Sequence, residues 1–341
     1  MKKIPLHHRD GICDIHCGEP FAALVPRIDP RRTLIVTDTV VQQLYAPLFG
    51  CLPVVTVGQG EAIKTLETVE ILYRAFLDRG VDRSWRVVAV GGGIVCDIAA
   101  YAAASWMRGV RCILVPTTLL AMVDAAIGGK NGVNYHRFKN LVGTIRQPDE
   151  VLIDPTFLKT LPRREMLCGL AEMFKHGLIA DAGYLQEVEQ AVATGAPIDE
   201  LIDRSVEIKV SIVAQDETET GLRRILNFGH TVGHALEKLD PTLAHGEAVA
   251  VGMAVAAELS HRRGYITKAD ADRVRAILAA TDLLATTAHR AGDIAATMRA
   301  DKKKSGDTLA FVLLKKIGEA VVVDIPFTEL EVTLATVCQH R

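Results

Sequence analysis

The sequence predicts an N-terminal α/β domain of Rossmann type followed by an all-α C-terminal domain. Apolar, β-rich runs alternate with helical patterns through the first half. From about residue 162 the apolar period becomes that of helices. At 341 residues the chain exceeds a comfortable single core, so domains are expected over 1–161 and 162–341.

The elements follow in order. The segment holding Cys13, His16 and Cys17 reads as an opening strand. Runs at 33–37, 53–57, 87–90 and 112–115 are short and rich in Val, Ile and Thr, with helical patterns at 66–79 and 95–105 between them. Such alternation predicts a parallel sheet covered on both faces. In the second half, 165–175, 184–193, 198–215, 231–239, 247–262 and 269–279 are apolar at helical period. A late hairpin is expected at 309–314 and 320–325, then a closing helix at 329–338.

Composition narrows the class. Hydrophobic residues make up 49% and charged residues 23%, as in a soluble globular protein. A formal net charge of -2 argues against a nucleic-acid footprint, and the basic run at 302–304 is short enough to be a solvated turn. The first residues lack the apolar core of a signal peptide, and the apolar stretch 248–259 is too short to span a bilayer, so a cytoplasmic enzyme is expected. The 7 cysteines are scattered without a CxxC pair and read as reduced thiols.

Chemistry gathers in four places. Gly91-Gly92-Gly93 follows a buried strand and precedes a helix carrying Asp97, an arrangement that lets backbone amides approach a phosphate; any tight turn would also use it. Asp38 ends an earlier strand where a carboxylate can take ribose hydroxyls or cap a helix, and Gly60-Glu61-Ala62-Ile63-Lys64 offers another polar loop. The segment 116–140, with Lys130, Lys139 and Asn140, can present ammonium groups to an anion or be a solvated loop. Glu172 and Lys175 fall three apart in an apolar helix, either as a surface ion pair or with Glu172 completing a metal site. The fourth place is the run from Asn227 to His234 and on to His245. His230 and His234 at i,i+4 share a helix face and His245 follows a short loop, with the carboxylates of Glu237 and Glu247 nearby. Spacing alone leaves open which ring binds a metal and which acts as acid or base.

Taken together, from Gly60-Glu61 through Asp301-Lys302-Lys303, these motifs closely resemble the 3-dehydroquinate synthase family of the sugar phosphate cyclase superfamily. The resemblance implies an NAD-binding α/β domain, a helical metal-binding domain bearing zinc or cobalt, and a homodimer. It implies Glu172, His230 and His245 as metal ligands. Asp38, Glu61, Lys64, Gly91, Gly92, Gly93, Asp97, Thr117, Thr118, Asp124, Lys130 and Lys139 fall in its nucleotide-binding set. Its substrate set matches Lys130, Lys139, Asn140, Lys175, Lys209, Arg223, Asn227, His234 and Lys302 or Lys303, with Arg108 reaching across the dimer. The sequence departs from the family at Cys96 and Ala100, where glycines are usual, and at Ala126 and Asn131, which replace a serine and a threonine.

The activity implied is conversion of 3-deoxy-D-arabino-heptulosonate 7-phosphate to 3-dehydroquinate and phosphate, in the shikimate route to chorismate and aromatic amino acids. The nearest alternative is a secondary-metabolism cyclase acting on sedoheptulose 7-phosphate or glucose 6-phosphate. Lys209 and Arg223 suit a substrate carboxylate that those sugars lack. An NAD-dependent polyol dehydrogenase and a binding protein without turnover are the remaining alternatives.

Overall fold

The structure is a computed structural model describing residues 1–136, 138–284, 289–301 and 307–338. Lys302 and Lys303 lie outside the described residues. The chain forms two compact units: Met1–Leu161 with Lys209–Thr218, and Pro162–Ile208 with Glu219–Arg341.

The first unit is a sheet with helices. Its elements are β1 (Lys2–His8), β2 (Gly11–Cys17), β3 (Thr33–Asp38), α1 (Thr39–Phe49), β4 (Val54–Val57), α2 (Leu66–Asp78), β5 (Arg86–Gly91), α3 (Gly93–Ser105), β6 (Arg111–Pro116), β7 (Lys130–Tyr135), β8 (Phe138–Ile145) and β9 (Glu150–Ile153). The 7-stranded sheet has the order β1-β2-β9-β6-β5-β3-β4. β1 pairs antiparallel with β2, and every other pairing is parallel. Leu34, Ile35 and Val36, Val87 to Val90, and Ile113 to Val115 are buried without alternation, as a sheet covered on both faces demands. The chain leaves β3 through α1 to β4 at the edge, then returns through α2 to β5 on the other side of β3. This reversal opens a crevice at the carboxyl ends of β3 and β5, where such sheets bind ligands.

The segment after β6 is not the loop that its glycines suggested. β7 and β8 form an antiparallel hairpin, with Gly132 opposite Gly143. A Cβ at Gly143 would meet the Asn131 carbonyl oxygen at 2.2 Å, so only glycine permits this close pairing. β1 is also a strand beyond those read from the sequence.

The second unit comprises α4 (Arg163–Ala180), α5 (Ala182–Thr194), α6 (Asp199–Gln215) as far as Ile208, α7 (His230–Leu239), α8 (His245–Arg262), α9 (Lys268–Ala280), α10 (Ala291–Asp301), the hairpin β10 (Thr308–Lys316) and β11 (Glu319–Pro326), and α11 (Phe327–Val337). α4 is buried continuously from Cys168 to Ile179, and α8 from Ala248 to Ala257. Helices buried on all sides belong at the centre of a bundle. No described helix is long and apolar enough to cross a membrane. α10 was not expected from periodicity.

Candidate active site

In the first unit, the strand register puts Thr37 of β3 beside Val90 of β5, so Asp38 and Gly91 emerge side by side at the crevice. Asp38 caps α1, accepting from the amides of Val40 at 2.8 Å and Val41 at 2.9 Å through Oδ1. Gly92 precedes α3, and Gly91 accepts a backbone bond from Thr117 at 2.9 Å. A Cβ on Gly92 would lie 3.1 Å from the Thr118 side chain, and one on Gly93 would lie 3.0 Å from Ala125. The glycines thus admit the Thr117–Thr118 loop while exposing the N-terminus of α3, a ready site for phosphate.

Lys64 meets Asp97 at 2.5 Å, both largely buried. Burial raises the Asp97 pKa, opposed by the Lys64 ammonium. Lys209 donates to Asp124 Oδ1 at 2.8 Å and to the Asp124 carbonyl. Asp38, Glu61, Lys64, Gly91 to Gly93, Asp97, Thr117 and Thr118 therefore fall around one end of the sheet, and Asp124 lies in the helical turn Ala121–Ala125 that follows. Lys130 stands at the base of the β7–β8 hairpin opposite Ile145, whereas Lys139 and Asn140 lie near its tip beside Phe138. Arg108 is exposed on a turn with φ of 65°. Cys96 fills a buried position with its thiol 3.6 Å from the Gly91 carbonyl. Asn131 donates to the Arg146 carbonyl at 2.8 Å.

In the second unit, two close backbone approaches build the histidine cluster. Gly229, at φ of 80°, begins α7 against Gly252 of α8, where a Cβ would meet the Gly229 carbonyl oxygen at 1.9 Å. Gly246 brings the start of α8 against α4, since its Cβ would lie 2.5 Å from Cys168 Cα. Glu172 follows one turn later on α4. Its Oε1 lies 3.5 Å from His230 Nε2 and 3.5 Å from His245 Nε2. His230 Nδ1 faces the Phe228 carbonyl at 3.2 Å, and His245 Nδ1 faces Glu237 Oε1 at 3.5 Å. Oxygen acceptors at both Nδ1 atoms orient the two rings so that both Nε2 atoms point toward Glu172.

The ligand atoms of Glu172, His230 and His245 all lie within 4.8 Å of one another. One carboxylate and two oriented imidazoles are a donor set that fits zinc or a similar divalent ion. Burial, then the Lys175 charge, hold His230 down to about 3 and so keep it neutral. Burial also pulls His245 down, but hydrogen bonds to Glu172 and Glu237 outweigh it and raise the ring to about 9.

His234 is exposed, with its ring centroid 5.4 Å from that of His230 and 6.5 Å from that of His245. It shares a cavity of about 330 Å³ with His230, Asn227, Arg224 and Lys238. Asn227 donates to Glu219 at 2.6 Å. Arg223 is buried at 2% exposure. The Glu172–Lys175 pair is not on the surface, for the side chains are 0% and 1% exposed. Of the carboxylates near the histidines, Glu237 supports His245, but Glu247 turns away. Its oxygens take a forked bond from Arg164 at 2.9 and 2.6 Å, and it caps the Ala244 amide at 2.8 Å, pinning the loop before His245. Sequence reasoning missed Arg164 and Asn134; a lone arginine or asparagine carries no spacing signal.

A crevice suited to a dinucleotide in one unit and a carboxylate–imidazole cluster in the other define an α/β-plus-helical protein built for metal-assisted nucleotide chemistry. The 3-dehydroquinate synthase N-terminal family model matches residues 54–168, and the C-terminal model matches 169–304. The chain belongs to the 3-dehydroquinate synthase family, within the sugar phosphate cyclases. Among solved structures it is similar to a 2-epi-5-epi-valiolone synthase from Streptomyces hygroscopicus subsp. jinggangensis 5008 with NAD+ and Zn2+ bound, at 31% identity, 96% of this chain, 97% of that one and a TM-score of 0.87. A 2-deoxy-scyllo-inosose synthase complexed with carbaglucose-6-phosphate, NAD+ and Co2+ matches at 27% identity, 98% and 99% coverage and a TM-score of 0.89. A probable glycerol dehydrogenase from Sinorhizobium meliloti 1021, at 18% identity, 95% coverage of each chain and a TM-score of 0.60, shares the fold.

Proposed function

We propose that this chain is a 3-dehydroquinate synthase acting on 3-deoxy-D-arabino-heptulosonate 7-phosphate. The observation that carries its assignment as a metal-dependent cyclase is the convergence of His230 and His245 on Glu172, each 3.5 Å from one carboxylate oxygen. Bound NAD would supply transient oxidation of a ring alcohol, and zinc or cobalt held by Glu172, His230 and His245 would polarise its oxygen. Glu61, Lys64, Asp97 and the Gly91 to Gly93 turn hold the nucleotide, with Asp38 at its ribose. Lys130, Lys139 and Asn140 orient the anionic substrate. His234, exposed on the cavity shared with Asn227, faces the departing phosphate or its proton. Active protein is proposed to be a homodimer, with Arg108 reaching the partner's site.

An acid substrate is favoured by Arg223, a buried residue whose guanidinium suits a carboxylate, as does the Lys209 ammonium. A second reading, a cyclase for a neutral sugar phosphate, is favoured by the similarity to the valiolone and inosose synthases. Purified protein with NAD and zinc, offered 3-deoxy-D-arabino-heptulosonate 7-phosphate, sedoheptulose 7-phosphate and glucose 6-phosphate separately, distinguishes them by phosphate release and the carbocycle formed. Turnover of the acid alone supports the first reading. Turnover of either neutral sugar alone overturns it in favour of the second.

A further inference from the structure

Asn134 stands where the β7–β8 ladder breaks. Val133 pairs with Val142 and Tyr135 with Phe138, so Asn134 alone stands opposite Lys139, Asn140 and Leu141, and the extra residues bulge from β8. Opposite a bulge the ladder is locally disrupted, which lets Asn134 bond both across the hairpin and away from it. The Asn134 amide N–H donates to the Lys64 carbonyl at 2.8 Å. Its side-chain Nδ2 donates to Glu61 Oε1 at 2.8 Å. Its Oδ1 accepts the Asn140 backbone N–H at 2.9 Å.

Both ends of this bridge need holding. Glu61 is an exposed carboxylate at the start of a single helical turn, Glu61–Ile63. Asn140 sits at φ of 51°, a left-handed conformation that persists in non-glycine residues when its surroundings over-determine it. We infer that Asn134 is a positioning residue that ties the turn of Glu61 and Lys64 to the β8 bulge of Lys139 and Asn140, setting the nucleotide-binding and substrate-binding parts of the first unit together. The inference rests on the proposed roles of Glu61 and Lys64 toward NAD and of Asn140 toward substrate.

Asn134→Asp separates the two arms. The aspartate still accepts the Asn140 N–H, but it cannot donate to Glu61 and sets like charges together. Asn134→Ala removes both side-chain arms. In full-length, zinc-loaded protein, direct calorimetric titration with NAD should show Kd raised about ten-fold in both variants. KM for whichever of the three sugar phosphates the wild type turns over should rise about ten-fold in Asn134→Ala and stay within about two-fold in Asn134→Asp. Asn134→Ser, whose short side chain cannot reach both partners, should follow the alanine variant and replaces it if that variant fails to fold. NAD affinity equal to wild type in the aspartate and alanine variants overturns the inference. So do identical KM changes in the two that track only a fall in thermal stability. Failure of the wild type itself to bind NAD overturns the functional reading instead, and this inference with it.

Discussion

Removing the Glu172 charge should cost the protein its metal and a large part of its stability, by separate routes. Glu172 and Lys175 form an ion pair on α4 with side chains 0% and 1% exposed. Glu172→Gln takes from the buried Lys175 ammonium the carboxylate charge of Glu172, and breaking a buried pair in this way costs about 3–5 kcal/mol. Replacing both partners, as Glu172→Leu with Lys175→Met, removes the buried ammonium as well and should restore most of that loss. Metal binding should not return, since the carboxylate oxygen facing both imidazoles is gone. The assay is urea unfolding of chelator-treated wild type and variants, so that loss of metal does not enter the stability difference. Far-UV circular dichroism should follow the helical unit, because both tryptophans, Trp85 and Trp106, lie in the other unit. A loss below about 1 kcal/mol in Glu172→Gln would refute the buried-charge reasoning. Wild-type zinc affinity in the double variant would refute Glu172 as a ligand.

The histidines predict a pH dependence for the metal-free protein. His245, raised to about 9 from 6.5, contributes stability that is complete below pH 6.5 and lost as pH rises through about 9. His230, lowered to about 3 from 6.5, contributes stability that is present above pH 6.5 and lost as pH falls toward about 3. The difference in unfolding free energy between wild type and His230→Ala/His245→Ala should therefore peak near pH 6.5; a difference that climbs steadily to pH 9 contradicts this. Because His245 must give up its proton to bind a metal, zinc affinity measured by chelator competition should rise about ten-fold per pH unit between pH 7 and its value of about 9; a flat profile contradicts that order of events. Glu237→Ala should weaken zinc binding by about 10–100-fold with helicity retained, and Glu237→Gln, which still accepts from Nδ1, should recover part of it. His234→Ala should keep its zinc and lose phosphate release, whereas His230→Ala should lose both, as metal analysis and a phosphate assay on the same preparations would reveal.

The sequence carried much of the fold because β3, β5 and β6 are continuous apolar runs and the bundle helices repeat their burial every turn. β7 and β8 did not announce themselves, for each is interrupted by a glycine and by polar residues and the register breaks opposite Asn134. The short alanine-rich α10 likewise lacked a clear stripe. At the metal cluster, i,i+4 spacing correctly put His230 and His234 on one helix but could not show that α4 passes behind them. Family resemblance singled out Glu172 as the ligand now proposed. Its approach to the histidines depends on Gly246 packing against Cys168, a contact invisible in linear order. The opposite fates of Glu237 and Glu247 follow from Arg164, distant in sequence, which claims one carboxylate and leaves the other at His245.

The most direct test of the account is the ratio of product formed to NAD supplied. Zinc-loaded protein given excess 3-deoxy-D-arabino-heptulosonate 7-phosphate and NAD at one equivalent per site should release many equivalents of phosphate, accumulate no NADH at 340 nm and return the nucleotide as NAD. One equivalent of NADH formed for each substrate oxidised, without phosphate release, would contradict the account and indicate a dehydrogenase.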